Sequence, residues 1–337
     1  MLRPLPMESQ PVSQRYALTE SDPHRDLDAF AAAVSSGLDA RPKTLPCRFL
    51  YDERGSELFE EICEIPEYYL TRAERRLLEE HADSIASKLP ARVALVELGS
   101  GSSSKTRLLI EALLRRQSRL RYLPIDISRS ILEESAEALL ADYRGLEIHA
   151  IAGEYQDGLR HVRRETRVPK LVAWLGSNVG NFDRHSAARF LRGIREVLSD
   201  ADRVLVGIDL RKEADRLLRA YDDGAGVTAR FNLNLLDRIN RELDGGFDLT
   251  RFAHRAEWRE EEGRVKLGLE SREAQAVAIK AIDRVVRFEK GEHIHTEDSY
   301  KYDLSEIDAL ARAAGLALDQ RWLEPSLGYS LNLLRPA

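Results

Sequence analysis

Short apolar runs and stretches of helical periodicity alternate along the middle of the chain. The apolar runs lack polar alternation, which predicts strands that are covered on both faces. These strands are predicted near residues 92–97, 120–126, 146–152, 170–175 and 202–209. The helices between them are predicted near 105–116, 129–143, 156–164 and 184–198. This order predicts an α/β domain with a parallel, doubly wound sheet and helices on both faces.

The pattern changes after Leu210, where two helical segments are followed by several alternating strands. The helices are predicted over 212–221 and 227–243, and the strands near 251–259, 264–272, 276–282 and 285–289. This order predicts an inserted α+β segment. A helix over 304–314 and strands near 317–323 and 328–334 then predict a return to the first sheet by an antiparallel hairpin.

A strand predicted over 293–302 carries polar residues on both faces. Its period of two places Glu297, Ser299 and Lys301 on one face. A polar strand of this kind is more often a solvated sheet edge than part of a binding site. The residues alone leave both interpretations open.

The chain before the strand predicted near 92–97 is expected to be largely helical, over about 25–38, 57–63 and 71–87. Thr71 is a candidate N-cap, with Glu74 closing a capping box. Tyr51 and Tyr68 lie in the intervening loops. A loop tyrosine more often lies on the surface with its hydroxyl in water than in a site.

The pattern divides the chain into two domains. One is predicted over 73–210 plus 302–337, and the other over 20–72 plus 211–301. Residues 1–19 are polar and contain prolines, so a flexible N-terminus is predicted there.

Composition excludes several classes of protein. The chain of 337 residues is 43% hydrophobic and 32% charged, which is typical of a soluble globular protein of about two domains. A net charge of -6, with basic residues interspersed among acidic ones, argues against nucleic acid as a partner. No long apolar segment predicts a membrane span or a signal peptide. A cytoplasmic monomer is expected.

Metal-ligand spacing is also missing from the sequence. Cys47 and Cys63 are the only cysteines, and they are expected to stay reduced. His293 and His295 lie two residues apart, but no third ligand is near them in sequence. No metal site is predicted.

The strongest candidate for a ligand site is a glycine-serine loop between the strand predicted near 92–97 and the helix predicted near 105–116. Gly99 and Gly101 follow Glu97 at the strand end, and the loop continues to Lys105. Glycines permit a sharp turn and a close backbone approach to a ligand. The same pattern also occurs in a tight turn that binds nothing.

Two chemistries compete for this loop. It nearly fits a phosphate-binding loop, but Ser104 stands before Lys105 where that motif needs glycine. Acidic residues also end three successive strands, at Glu97, Asp126 and Glu154. Three acids would repel a triphosphate, whereas they suit ribose hydroxyls, an adenine amino group and a cationic sulfur. The sequence therefore favours S-adenosylmethionine over ATP.

A second loop is predicted at the same sheet edge, after the strand at 170–175. It runs from Gly176 to Asn181 and contains two glycines and two asparagines. Loops at the carboxyl ends of parallel strands commonly bind ligands. Asparagine also holds turns through its own side chain, so both roles stay open.

Taken together, the motifs resemble the histidine-specific methyltransferases of ergothioneine biosynthesis. The resemblance covers nearly the whole chain after residue ~40 and rests on Tyr51-Asp-x-x-Gly-Ser, Pro66-Glu-Tyr-Tyr-x-Thr-Arg, Glu97-Leu-Gly-Ser-Gly-x-x-x-Lys-Thr-Arg, Gly176-Ser-x-x-Gly-Asn, Tyr221-Asp-Asp, Phe231-Asn-Leu-Asn and Thr296-Glu-x-Ser-x-Lys-Tyr. It implies a Rossmann-like class I methyltransferase domain with an inserted α+β substrate domain. It also implies three methyl transfers from S-adenosylmethionine to the α-amino group of L-histidine, giving hercynine.

The resemblance implies a role for individual residues at both ends of the site. The predicted cofactor residues are Glu97, Gly99, Gly101, Lys105, Asp126, Glu154 and Tyr155, with Asp126 on the ribose. The family commonly has Asp-Phe where this chain has Glu154-Tyr155.

On the substrate side, Asn181 and Tyr221 would hold the carboxylate, and Gly176 would contribute its backbone. Tyr51 is the implied catalytic residue near the amino group. The residues that would bind the imidazole ring are Tyr68, Glu297 and Ser299. Leu267 stands where the family often has methionine, a change of little expected effect. The alternatives are a related methyltransferase for another amino acid or amine, and a P-loop-like ATPase.

Overall fold

The computed structural model describes residues 12–20 and 23–337. In chain order its strands are β1 (Tyr16–Glu20), β2 (Lys43–Thr44), β3 (Ala94–Leu98), β4 (Leu120–Asp126), β5 (Leu146–Ala152), β6 (Lys170–Trp174), β7 (Arg203–Asp209), β8 (Phe252–Arg259), β9 (Arg264–Ser271), β10 (Gln275–Ile279), β11 (Arg284–Phe288), β12 (His293–Tyr300), β13 (Leu316–Glu324) and β14 (Tyr329–Pro336).

The helices of the described residues are α1 (Val12–Arg15), α2 (Pro23–Asp39), α3 (Glu53–Glu64), α4 (Leu70–Ser87), α5 (Arg107–Gln117), α6 (Arg129–Asp142), α7 (Tyr155–Glu165), α8 (Arg184–Glu196), α9 (Ala214–Tyr221), α10 (Val227–Leu243) and α11 (Leu304–Ala313). Short 3-10 turns cover Cys47–Leu50, Asn178–Asn181, Leu249–Arg251 and Lys280–Ile282. In this part of the chain, no helix has the length and apolar character needed to cross a membrane.

An eight-stranded sheet forms the larger unit, in the order β1-β5-β4-β3-β6-β7-β14-β13. In this sheet the first six neighbours, β1, β5, β4, β3, β6 and β7, pair in parallel. Strand β14 pairs antiparallel with both β7 and β13. Every residue of β3 and β6 is buried, because helices cover both faces of the sheet. The predicted doubly wound α/β sheet and its closing hairpin are confirmed.

The strand β1 differs from the predicted flexible N-terminus. It adds to the sheet in parallel, from Tyr16 opposite Ile148 to Glu20 opposite Ala152. The guanidinium of Arg15 donates to three backbone carbonyls next to this edge, at Leu140, Tyr143 and Leu146. Backbone pairing and one anchored arginine therefore hold a segment whose composition alone looked disordered. Residues 1–11 lie outside the described residues.

Strands β8, β9 and β12 of the inserted segment form a four-stranded sheet with β2 from the N-terminal part of the chain, in the order β2-β12-β9-β8. Strands β10 and β11 pair in a separate hairpin. The polar strand β12 pairs with β9 on one side and with Lys43 and Thr44 of β2 on the other. The interpretation of β12 as a sheet edge is therefore wrong. The partner strand has only two residues and lies about 250 positions earlier in the chain, so no local pattern could indicate it.

Candidate active site

The glycine loop after β3 is packed too closely for any larger residue at its first position. Gly99 has φ +70°, and a Cβ there would lie 2.6 Å from Tyr155 Oη and 2.9 Å from Asn178 Nδ2. Its amide donates to the carbonyl of Ile125 at 2.8 Å. The loop is therefore fixed against β4, α7 and the 178–181 turn.

A large cavity of about 430 Å³ opens at this edge of the sheet. Its walls come from the glycine loop, the ends of β4 and β5, and the segment before α3. Five of the predicted cofactor residues line it, namely Gly99, Gly101, Asp126, Glu154 and Tyr155. The cavity has room for a nucleoside with an amino-acid tail.

Asp126 supplies a half-buried carboxylate to the wall of this cavity. One carboxylate oxygen accepts from the Gly101 amide at 2.9 Å, and the other from the Ser128 amide at 3.0 Å. Burial raises the pKa of Asp126, and these backbone donors oppose the rise. Each oxygen keeps accepting capacity for a further donor, so the group suits the two hydroxyls of a ribose.

The adenine-side pair occupies two different environments. The Glu154 side chain is 58% exposed and lies 3.4 Å from the guanidinium of Arg48. The Tyr155 ring packs near Trp174 and Phe190, with centroids 6.5 and 5.6 Å apart. The tyrosine therefore forms a fixed wall, while the carboxylate stays at the rim.

Two predicted cofactor residues do not line the cavity. Glu97 is buried and accepts hydrogen bonds from the hydroxyls of Thr106 and Tyr122. Burial raises the pKa of Glu97 to about 7. The ammonium of Lys105 pairs with the buried carboxylate of Glu74. Both side chains are thus engaged within the protein beneath the loop, and Lys105 does not face a phosphate position.

Glu74 is an organising residue that the sequence did not reveal. Its carboxylate accepts from the Gly176 amide at 2.9 Å and from Tyr329 Oη at 2.8 Å, in addition to Lys105. Gly207 makes room for it, since a Cβ there would lie 2.0 Å from Glu74 Oε1. The expected capping box is wrong, because α4 begins at Leu70 and Glu74 points into the protein.

Replacing Glu74 by alanine is expected to lower the free energy of unfolding by about 3–5 kcal/mol, because a largely buried ammonium loses its partner. Arg76→Ala removes an exposed ion pair from the same helix and should cost less than about 1 kcal/mol. Urea unfolding of both variants measures the difference. Equal, small losses would show that Glu74 does not hold the loop.

A second, much smaller cavity lies between the two units. The predicted catalytic residue Tyr51 lines it, together with all six predicted substrate residues, namely Tyr68, Gly176, Asn181, Tyr221, Glu297 and Ser299. Leu267 lines it as well. Six separate segments of the chain, including the one that carries Leu267, therefore converge on one small volume.

The two cavities meet at a shared wall. Tyr51, Phe59, Asn178 and Asn181 line both of them. A ligand in the large cavity and one in the small cavity would therefore face each other beside Tyr51. This junction is the geometric requirement for transferring a group between two bound molecules.

Aromatic rings surround the junction. Tyr51 lies 5.5 Å from Phe59 and 5.4 Å from Phe231, between ring centroids, and the two phenylalanines are 6.0 Å apart. Burial raises the pKa of Tyr51 well above its usual value, so its hydroxyl is neutral. Such a wall tolerates methyl groups and attracts a cation through its ring faces. Phe59 was missed because it looks like an ordinary core residue of α3.

The far end of the small cavity is polar and rests on a buried charge network. Tyr221 Oη and Ser299 Oγ are 2.7 Å apart, and Lys301 Nζ donates to them at 2.7 and 2.8 Å. Lys301 also pairs with Asp209 at 2.8 Å, and neither side chain is exposed to solvent. The sequence placed Lys301 on the correct strand face but assigned it no role.

Glu297 stands beside this network. Burial raises its pKa to about 7, which the charge of Lys301 opposes. A carboxyl group with this pKa can present either a lone pair or a proton to a ring nitrogen. The site therefore combines a carboxyl group that can hydrogen-bond a heteroaromatic ring nitrogen with hydroxyl groups that can donate to an anion.

A possible metal-ligand cluster lies apart from both cavities. Among the described residues, His149, His161 and Glu165 place ligand atoms within 4.8 Å of one another. The Arg121 guanidinium contacts Glu165 at 3.0 Å and His149 at 3.5 Å, and this positive charge opposes a cation.

The fold and paired cavities define a small-molecule methyltransferase of class I. The sheet has the parallel order with one antiparallel strand near its end, and the glycine loop and Asp126 occupy the ligand-binding edge. The family profile described as histidine-specific methyltransferase, SAM-dependent, matches residues 30–336. The chain belongs to this family of S-adenosylmethionine-dependent enzymes.

Individual relatives agree with the family. The histidine N-alpha-methyltransferase of Mycobacterium tuberculosis is 42% identical over 89% of this chain and 92% of its own length. That of Mycolicibacterium smegmatis is 40% identical over 91% of this chain and 94% of its own length. The ergothioneine biosynthesis protein 1 of Neurospora crassa is 36% identical over 87% of this chain, which spans 33% of that longer protein.

Proposed function

We propose that this protein transfers methyl groups from S-adenosylmethionine to the α-amino nitrogen of L-histidine, three times, for ergothioneine biosynthesis. The observation that carries the proposal is the junction of two cavities at Tyr51. One cavity suits a nucleoside, and the other ends in the Glu297 and Ser299 pair that suits an imidazole. The names of the mycobacterial relatives support the choice of histidine.

The cofactor is assigned to the large cavity. Asp126 would accept the ribose hydroxyls, and Tyr155 with Glu154 would flank the adenine. Gly99 and Gly101 let the backbone approach the ligand closely. S-adenosylmethionine, when bound, supplies an electrophilic methyl group on a positively charged sulfur. Because the donor already carries this charge, the proposal requires no metal.

The substrate is assigned to the small cavity with its carboxylate toward Asn181 and Tyr221. The Gly176 loop would support the same end, held by Glu74. The amino group then lies toward Tyr51 and the junction, and the ring toward Tyr68, Glu297 and Ser299.

The chemistry follows from positioning. An in-line displacement requires the amine and the methyl carbon to approach within about 3 Å with aligned orbitals, and such alignment removes several kcal/mol from the barrier. The α-amino group of free histidine ionises somewhat above the range of a peptide N-terminus, because its own carboxylate stabilises the ammonium, and a neutral fraction is still available at mildly alkaline pH without a strong base. Tyr51 stays protonated and can orient the nitrogen. The rings of Phe59 and Phe231 accommodate the methyl groups that accumulate.

The direct test is incubation of the purified protein with S-adenosylmethionine and each of twenty amino acids separately. Mass spectrometry should show gains of one, two and three methyl groups on histidine. A preference for tryptophan or another amino acid would replace the substrate assignment. A product that stops at one methyl would refute the trimethylation but keep the enzyme class.

Asp126→Ala is expected to weaken S-adenosylmethionine binding by about 2–3 kcal/mol, because a charged acceptor for two hydroxyls is lost. Histidine affinity should change little. Calorimetry measures both ligands, and Asp142→Ala, which removes an exposed carboxylate paired with Arg107, serves as the control. An unchanged cofactor affinity would exclude Asp126 from the ribose site.

We also propose that the enzyme works as a cytoplasmic monomer without nucleic-acid or membrane partners. The free thiols of Cys47 and Cys63 suit a reducing compartment, and the net charge of -6 disfavours polyanions. Light scattering during size-exclusion chromatography would test the monomer. Activity after treatment with a metal chelator would test the metal-free chemistry.

A further inference from the structure

The buried ammonium of Lys301 restricts how the two hydroxyls at the polar end of the small cavity can bond. Its three protons point to three acceptors, which are Asp209 Oδ2, Tyr221 Oη and Ser299 Oγ. Lys301 has no acceptor of its own, so both hydroxyl oxygens must receive a proton from it. Each hydroxyl thereby loses one lone pair to the lysine.

The hydroxyls of Tyr221 and Ser299 also bond to each other at 2.7 Å. Two hydroxyl protons are available, and one of them fills this mutual bond. Only one proton therefore remains for a ligand. If Tyr221 donates that proton to the substrate carboxylate, Ser299 must donate to Tyr221 and can offer the ligand only a lone pair.

We propose that Lys301 is a positioning residue that makes Ser299 an obligate hydrogen-bond acceptor, so that the site binds histidine with a ring N–H directed at Ser299. The inference rests on the proposed assignment of carboxylate and ring within the small cavity. It assigns to Lys301 a role in specificity without any contact to the substrate.

A consequence for protons follows from the second ring nitrogen, which faces Glu297. An ionised Glu297 is also an acceptor and requires a second ring N–H, whereas a protonated Glu297 donates to a neutral ring. The bound pair is therefore either an imidazolium with an ionised Glu297 or a neutral imidazole with a protonated Glu297. Both pairs hold one proton more than a neutral imidazole with an ionised Glu297. The complex therefore takes up one proton when both partners start without it.

The charged and titratable groups around this pair are limited in number. The groups that interact with Glu297 through their charges are Tyr51, Tyr68, Cys47, Asp298 and Lys301. Lys301 in turn faces Asp209, Tyr221 and Lys212. Burial raises the pKa of both tyrosines well above the usual range and that of Cys47 to about 12, so none of these three groups ionises near pH 8. Burial lowers the pKa of Lys212 to about 8, so the calorimetry described next is repeated on Lys212→Met. The proton uptake that remains in this variant is assigned to the ring and Glu297.

Calorimetry on the wild-type protein tests the proton count. The ligand is Nα,Nα,Nα-trimethylhistidine with S-adenosylhomocysteine present, since a quaternary ammonium cannot release a proton. At pH 8.5 the free ring, with a pKa near 6.5, is neutral. Binding enthalpies in two buffers of different ionisation enthalpy should show an uptake of about one proton per molecule. Binding without proton uptake would overturn the inference.

A pair of lysine variants tests the role of Lys301 itself. The substrates are histidine and β-(thiazol-4-yl)alanine, whose ring has no N–H. The wild type should prefer histidine by about 100-fold in kcat/KM. Lys301→Met frees Ser299 to donate, so this preference should fall about tenfold. Lys212→Met removes the other ammonium on Asp209, without contact to either hydroxyl, and should keep the wild-type preference.

The outcomes separate the inference from the function on which it rests. If the wild type neither methylates histidine nor binds trimethylhistidine, the proposed function fails and the inference falls with it. If histidine is methylated but Lys301→Met lowers kcat/KM for both substrates by the same factor, Lys301 has only a structural role. If Lys301→Met does not fold, the wild-type calorimetry still decides.

Discussion

Replacing Glu297 by alanine is expected to raise the KM for histidine and to relax selectivity toward tryptophan and phenylalanine. The carboxyl group lines the small cavity beside Ser299 and is the group best placed to bond a second ring nitrogen. Apolar rings would leave both groups unsatisfied in the wild type, at about 1–3 kcal/mol for each and more for a charge. Discrimination against such rings should therefore exceed about 100-fold in the wild type and fall by at least about tenfold in the variant.

Competition between histidine and tryptophan, followed by mass spectrometry, measures this change. Asp298→Ala is the matched control, because it removes the neighbouring carboxylate, which bonds to Arg264 and does not line the small cavity. Cofactor affinity should be the same in both variants. An unaltered preference in Glu297→Ala would show that Glu297 does not read the ring.

The architecture of the larger sheet could be predicted because its signals are local. Strands buried on both faces give continuous apolar runs, and β4 and β5 were predicted to the residue. The helices between them show the spacing of one covered face. Strand β1 lacks this signal, since its five residues are half-buried or exposed and its order comes from pairing with β5.

The candidate site was predictable where family motifs name residues, and less so where the fold reuses ordinary residues. The six predicted substrate residues and the predicted catalytic Tyr51 line one cavity, whereas Glu97 and Lys105 are engaged beneath the glycine loop. Glu74 resembles any acid on a charged helix, and only the packing of α4 against Gly207 reveals its role. Lys301 depends on Asp209, which lies 92 positions earlier at the end of β7. Such long-range charge pairs have no sequence period.

Histamine, which lacks the carboxylate, is expected to be a poorer substrate than histidine by about a thousandfold in kcat/KM. A site that hydrogen-bonds a polar group rejects an analogue without it, because its own buried partners are then left unpaired. Tyr221 and Asn181 come from separate segments and line the same end of the small cavity. Lys301 adds a buried positive charge within 2.7 Å of the Tyr221 hydroxyl, which increases its attraction for an anion.

Variants at the two ends of the substrate distinguish this carboxylate recognition from a general loss of activity. Asn181→Ala should lower kcat/KM for histidine more than for histamine, so that the gap between them narrows. Glu297→Ala should lower kcat/KM for both substrates by a similar factor, because both carry the imidazole ring. Initial rates with the two amines at saturating S-adenosylmethionine provide the measurement. Comparable kcat/KM values for histamine and histidine in the wild type would show that the carboxylate is not bound by Asn181 and Tyr221, and the substrate would then have to lie in the opposite orientation.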